Sequence, residues 1–189
     1  MTKLTIIDTQ CANLSSVKFA FERLGYSAEI TNDLNKIKSA DKLILPGVGT
    51  AKAAMLNLQR LGLVEVIQNL TQPVLGICLG MQLMTAFSTE GNVSILGLMN
   101  GQTELIPDTG LPLPHIGWNR VHFDENCPLF DGIAQDSHFY LCIAMRYCLM
   151  KIPLRPANMV WIFLPLSLAI TSTAYNSTLN VQAKMVRCC

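Results

Sequence analysis

From Leu141 to Cys189 the chain has no aspartate, no glutamate and no glycine. All 13 acidic residues lie at or before Asp136, and all 12 glycines at or before Gly132. At an ordinary glycine usage of about 7%, so long a stretch without glycine arises only a few per cent of the time. Losing the acids with it is rarer still. Histidine is also scarce, with only His115, His122 and His138. The formal charge is just +1, so no broad field for nucleic acid or a membrane surface is implied. The apolar run 159–170 is interrupted by Pro165 and Ser167 and is too short for a bilayer, which needs about 20 residues. It reads instead as an aggregation liability. Met1-Thr2-Lys3 leads straight into a strand-like run with no signal peptide, so the expected setting is a reducing cytoplasm with free thiols. The seven cysteines, four of them after Tyr140, form no zinc pattern and no disulfide framework. Neither a metal nor another cofactor is expected.

What is present is one domain's worth of chain, 189 residues, long enough for a substantial core. Its organising stretch is Val74-Leu75-Gly76-Ile77-Cys78-Leu79-Gly80-Met81-Gln82. A short apolar run suits a buried strand, and the residues after Cys78 continue as helix without a breaker. Gly-x-Cys-x-Gly between the two is the strand–turn–helix layout of a nucleophile elbow, with cysteine where hydrolases carry serine. Cys78 then sits at the apex of a tight, strained turn. A helix N-terminus there favours the thiolate, and the Leu79 N–H can face a developing oxyanion. The competing reading is a buried core cysteine in a βα unit.

Strand and helix signals alternate through the first half. Leu4–Ile7 reads as a strand, followed by the loop 8–13 and a helix capped by Ser15 or Ser16, with Gly25 as its stop. Tyr26–Ile30 is the next strand, then a short helix around Leu34 and Ile37, then the strand 41–45 ending in Pro46-Gly47-Val48-Gly49. Thr50 caps a helix with Ala54, Met55, Leu58 and Leu61 on one face. A further helical stretch, 63–70, precedes the elbow strand 73–77. The expected fold is therefore α/β, a doubly wound and mostly parallel sheet with flanking helices, whose sites lie at the carboxyl ends of the strands. Beyond Phe87, the segments 96–98, 101–106 and 119–123 look like short antiparallel strands, punctuated by Pro112, Pro114, Gly117, Pro128 and Gly132. Another strand begins at Ser137.

Four stretches in order carry a resemblance: Pro46-Gly47-Val48-Gly49, the elbow 76–82, Pro114-His115-Ile116-Gly117-Trp118-Asn119 and Asp136-Ser137-His138-Phe139-Tyr140. Together they resemble the class I glutamine amidotransferases, and within them the glutaminase subunits of imidazole glycerol phosphate synthase, from histidine biosynthesis. The resemblance covers about residues 3–140. It implies a cysteine nucleophile that splits the side-chain amide of glutamine, and a heterodimer with a cyclase subunit that receives the ammonia. On this resemblance Cys78 is the nucleophile. Leu79 and the Gly47, Val48 and Gly49 backbone bind the oxyanion, Gln82 holds substrate, and Trp118 and Asn119 face the cyclase. Trp118 also admits the plainer reading of a core aromatic. The first loop, Asp8-Thr9-Gln10-Cys11-Ala12-Asn13, departs from the glycine-rich loop common in the family.

The resemblance stops where the composition changes. The family carries a late His-Pro-Glu, whose histidine shuttles protons and whose carboxylate orients it. None of the three histidines here precedes Pro-Glu. Where the family has Phe-Val-His-Ser-Tyr-Ala after Tyr140, this chain has Leu141-Cys142-Ile143-Ala144-Met145-Arg146. Permitted codons for that segment, TTG TGC ATA GCT ATG CGA, read one base earlier give Phe-Val-His-Ser-Tyr-Ala. The same shift over Ala174–Val186 gives Gly-Ile-Gln-Phe-His-Pro-Glu-Arg-Ser-Gly-Lys-Asp-Gly, with the restored histidine and glutamate over Thr178 and Asn180. A single-base deletion near the Tyr140 codon accounts for both. Residues 1–140 are then an amidotransferase domain, and 141–189 an aberrant tail replacing its end, with little or no glutaminase activity expected. Two other readings stay open. One is a catalytically silent module that docks the cyclase. The other is an unrelated thiol hydrolase or redox sensor drawing a base from His115, His122 or His138.

Overall fold

The computed structural model describes residues 2–10, 12–108, 110, 112–120, 130–148 and 161–162. A parallel sheet is built from β1 (Leu4–Ile7), β2 (Ala28–Thr31), β3 (Lys42–Gly47), β4 (Val74–Cys78) and β11 (Trp161–Ile162). The strand order is β11-β4-β3-β1-β2, and every neighbouring pair is parallel. The apolar runs read as buried strands for a simple reason: helices cover both faces, so successive side chains need opposite but equally dry surroundings. Leu4, Ile6, Ile44 and Leu75 pack on one side with Val17 and Phe21. Ile7, Leu43, Leu45 and Val74 pack on the other with Ile37, Leu58 and Ile67.

The helices are α1 (Leu14–Arg23), α2 (Leu34–Lys38), α3 (Ala51–Arg60), α4 (Leu63–Gln68) and α5 (Leu79–Met84). Thr50 caps α3 by accepting from the Ala53 N–H, as its sequence position predicts. The cap of α1 is neither Ser15 nor Ser16, because the helix starts earlier. Asn13 Oδ1 accepts from the Ser16 N–H, and both serines lie inside the first turn. Asp33 caps α2 through the Asn35 and Lys36 N–H groups.

The second half holds two small sheets. One contains β5 (Phe87–Ser88), β6 (Val93–Ser94), β7 (Gln102–Leu105) and β10 (Met145–Cys148), in the order β10-β7-β5-β6. The other pairs β8 (His115–Arg120) with β9 (His138–Ile143) antiparallel. Two expectations are corrected here. The pairing is not wholly antiparallel, since β5 runs parallel to β7. Residues 96–98 are not a strand either: their N–H groups donate to Leu83, Thr85 and Met84 carbonyls, which closes the C-terminal end of α5. The third expected strand starts at His115 rather than Asn119, and its end, 121–123, lies outside the described residues.

On the out-of-frame reading, the segment after Tyr140 has no reason to carry strand alternation suited to this fold. Its described part is nevertheless paired: β10 with β7, and β11 with β4 at Val74 and Leu75. Ladder pairing needs only extended backbone, and β4 offers an open edge to whatever extended segment reaches it. The rest of the run 159–170, and Thr178 and Asn180, lie outside the described residues. Among the described residues no helix is long and apolar enough to cross a membrane.

Candidate active site

The β4–α5 junction is built as an elbow. Cys78 ends β4 and immediately precedes α5, with φ 55° and ψ −119°, a backbone state rare for a residue with a side chain. Two glycines make the bend possible by letting backbone approach backbone. A Cβ on Gly80 would lie 1.7 Å from the Leu45 carbonyl oxygen of β3, and one on Gly76 would lie 2.7 Å from the Met81 Cα. So Gly80 seats α5 on β3, and Gly76 seats it on β4. The result turns Cys78 out toward solvent.

The end of β3 lies alongside. Gly47 is the register partner of Cys78, Val48 is exposed, and Gly49 has φ +95°. The Pro46–Gly49 turn and the thiol therefore share the carboxyl edge of the sheet, next to the point where the strand order reverses between β1 and β3. A cavity of about 640 Å³ lies at the other end, at the amino ends of β1 and β2, and does not include the thiol.

The N–H at the helix start favours the thiolate, as the sequence reading expects, but partial burial of the sulfur acts against it. Desolvation pushes the Cys78 thiol above its ordinary value, and the Leu79 N–H, which favours the thiolate, does not offset it. Cys142 and Glu90 add smaller upward contributions. The helix of six residues is too short to add much dipole.

Gln82 lies one turn along α5 and is buried. Its Nε2 donates to Ser88 Oγ at 2.7 Å and to Glu90 Oε2 at 3.1 Å. Glu90 Oε2 also accepts from the Ala51 N–H at the start of α3, and Ser88 Oγ accepts from the Glu90 N–H. Ser88 and Glu90 escaped the sequence reading. Their one signal is a position just after an expected helix, and nothing in sequence says that the chain turns back there onto Gln82.

The structure does not bring Trp118 and Asn119 to the thiol's network. Both lie on β8. Trp118 is not a core aromatic: it is 52% exposed, with its ring edge-on to Tyr140 at a centroid distance of 5.6 Å. Asn119 Oδ1 pairs with His115 Nε2 at 2.7 Å. His138 is exposed at the start of β9, opposite Arg120. Among the described residues neither His115 nor His138 bonds to Cys78 or bears on its charge; His122 lies outside them. The elbow thus has a thiol, a glycine-rich strand end and an amide–hydroxyl–carboxylate cluster, but no described imidazole.

Comparison with known proteins agrees with this geometry. The family model for glutamine amidotransferase class-I matches residues 5–142. The imidazole glycerol phosphate synthase subunit HisH of Haemophilus influenzae (strain 86-028NP) is 78% identical over 140 residues, which cover 74% of this chain and 70% of the relative. That of Pasteurella multocida (strain Pm70) is 71% identical over 140 residues, covering 74% and 71%. That of Vibrio cholerae serotype O1 is 51% identical over 143 residues, covering 72% and 70%. Among solved structures, a Thermoplasma acidophilum protein assigned to GMP synthase aligns with TM-score 0.68 at 14% identity, over 99% of this chain and 93% of its own. A glutamine amidotransferase structure aligns with TM-score 0.59 at 13% identity, over 95% and 98%, so both likenesses concern the fold. The chain belongs to the class-I glutamine amidotransferase family and, within it, to the group of imidazole glycerol phosphate synthase HisH subunits.

Proposed function

We propose that this chain descends from a glutaminase subunit that supplies ammonia to a cyclase subunit in histidine biosynthesis, and that it has lost the proton relay the reaction needs. The observation that carries this is the elbow itself: Cys78 at φ 55° between two glycines at which a Cβ would meet backbone at under 3 Å. In the intact reaction the thiolate attacks the amide carbon of glutamine. The Leu79 N–H and the Gly47–Gly49 backbone steady the oxyanion, the amide nitrogen takes up a proton and leaves as ammonia, and water then splits the thioester to glutamate. Gln82 and Glu90 present acceptors suited to the substrate's α-ammonium group.

The missing element is a base. Cys78 holds its proton more tightly than an ordinary thiol, and no described imidazole removes it. Loss of one triad partner typically costs about four orders of magnitude or more. The family model's match stops at residue 142, shortly after the Tyr140 codon, which supports this reading. Residues 1–140 then form the amidotransferase domain, and 141–189 replace its end. The nucleotide sequence across codons 138–143 tests this: a missing base relative to the family's frame is expected, and an intact frame through Leu141-Cys142 would end the idea.

A second reading has its own support. Ile116 and Trp118 are 56% and 52% exposed on the two-stranded β8–β9 sheet, an apolar face suited to the cyclase. A catalytically silent chain would still dock through it. Pull-down with the cyclase by the parent chain, lost in Trp118→Ala, is the expected result; no capture by the parent removes this reading.

A further inference from the structure

We propose that Ser88 is a positioning residue, which sets the direction of the Gln82 amide and so the grip of the site on an amino-acid substrate. The inference rests on the glutamine reading given above. Ser88 is wholly buried on β5, and its hydroxyl accepts from two donors, the Gln82 amide and the Glu90 backbone N–H. An amide side chain has two hydrogens on nitrogen. In Gln82 they go to Ser88 Oγ and Glu90 Oε2. The reverse orientation would set the amide oxygen against a carboxylate oxygen at 3.1 Å and against Ser88 Oγ, which already accepts from the Glu90 N–H, so the nitrogen faces the pair. Among the described residues, Gln82 Oε1 is thereby left without a donor. Glu90 is fixed from the same side, since one of its oxygens also accepts from the Ala51 N–H. One small hydroxyl thus ties the helix that follows the nucleophile to the only carboxylate, among the described residues, that bears on the thiol's charge.

A merely structural serine and a positioning serine differ in what they do to reagent selectivity. The test compares alkylation of Cys78 in the full chain, read on its own peptide by mass spectrometry, by the chloroketone analogue of glutamine and by iodoacetamide, which has no amino-acid part. Ser88→Ala is expected to slow the chloroketone about tenfold, the scale of one buried hydrogen bond, with the iodoacetamide rate within about twofold. Gln82→Ala is expected to slow the chloroketone too, and Ser88→Ala added to it should do little more, because both act through one interaction. An unchanged chloroketone rate, a parallel fall with both reagents, or full additivity with Gln82→Ala would overturn the proposal. Ser88→Gly serves the same comparison if the alanine variant does not fold. If the parent chain itself shows no protection of Cys78 by glutamine, the glutamine reading fails and this inference with it; protection in the parent without an effect of Ser88 defeats the inference alone.

Discussion

At the scale of single residues the site depends on two missing side chains and one tight proton. Gly80→Ala would drive a methyl into the Leu45 carbonyl, an approach of 1.7 Å that only backbone movement can relieve. Its expected cost is about 3 kcal/mol or more, or outright failure to fold, measured by denaturant unfolding. Gly25→Ala meets no neighbouring atom, so it carries only the strain of φ +81°, about 1 kcal/mol. Equal costs for the two would contradict the packing described. The thiol gives a second expectation. Its folded value is raised, so at neutral pH less of it is thiolate than in a free cysteine. Its labelling by iodoacetamide should rise with an inflection above that of a free thiol. Cys142→Ala, which removes a neighbour that disfavours the Cys78 thiolate, should move that inflection down. An inflection at or below the free-thiol value would contradict the desolvation argument. The elbow cysteine and its flanking glycines were legible in sequence because a tight strand-to-helix turn needs those residue types at that spacing. The direction of the thiol's shift was not, because desolvation depends on packing from distant segments.

At the scale of elements, local chemistry and tertiary override divide the chain. Thr50 was readable as a cap because it directly precedes a long apolar periodicity. Thr50→Ala is expected to lower stability by about 1 kcal/mol in denaturant unfolding, and Asn13→Ala by a similar amount. No change in either would mean that water serves those N–H groups equally well. Asn13 was missed in favour of Ser15 or Ser16 because all three are cap formers and α1 is entered earlier than its apolar stripe suggests. The strands and helices up to α5 were largely readable, since burial on both faces leaves continuous apolar runs. Past α5 the runs are two to six residues long, and pairing partners decide them. The apolar segment 96–98 was given to α5's carbonyls, while Phe87–Ser88 found β7 and became a strand.

At the scale of the molecule, the first 140 residues and the described part of the remainder hold on by different contacts. The first part has alternating elements, two dry cores and close relatives over its length. The described part of the remainder holds on by backbone pairing and by contacts such as Arg146 with Glu104, Nε to Oε1 at 2.9 Å. Such a half-exposed ion pair is worth at most about 1 kcal/mol. The family could be read from four short motifs because they occur together in one order along the chain. The proposed loss of the relay rests on absences in the sequence, of acids and glycines after Asp136 and of a histidine before Pro-Glu. Restoring one base after the Tyr140 codon is expected to return glutamine hydrolysis, in the presence of the cyclase, to the purified product. The most direct measurement of the central claim is glutamine turnover by the chain as it stands, purified with the cyclase and assayed beside its Cys78→Ala variant. The expected result is no glutamate formation above that of the variant. Steady turnover that Cys78→Ala abolishes would show that a working base stands beside the thiol after all.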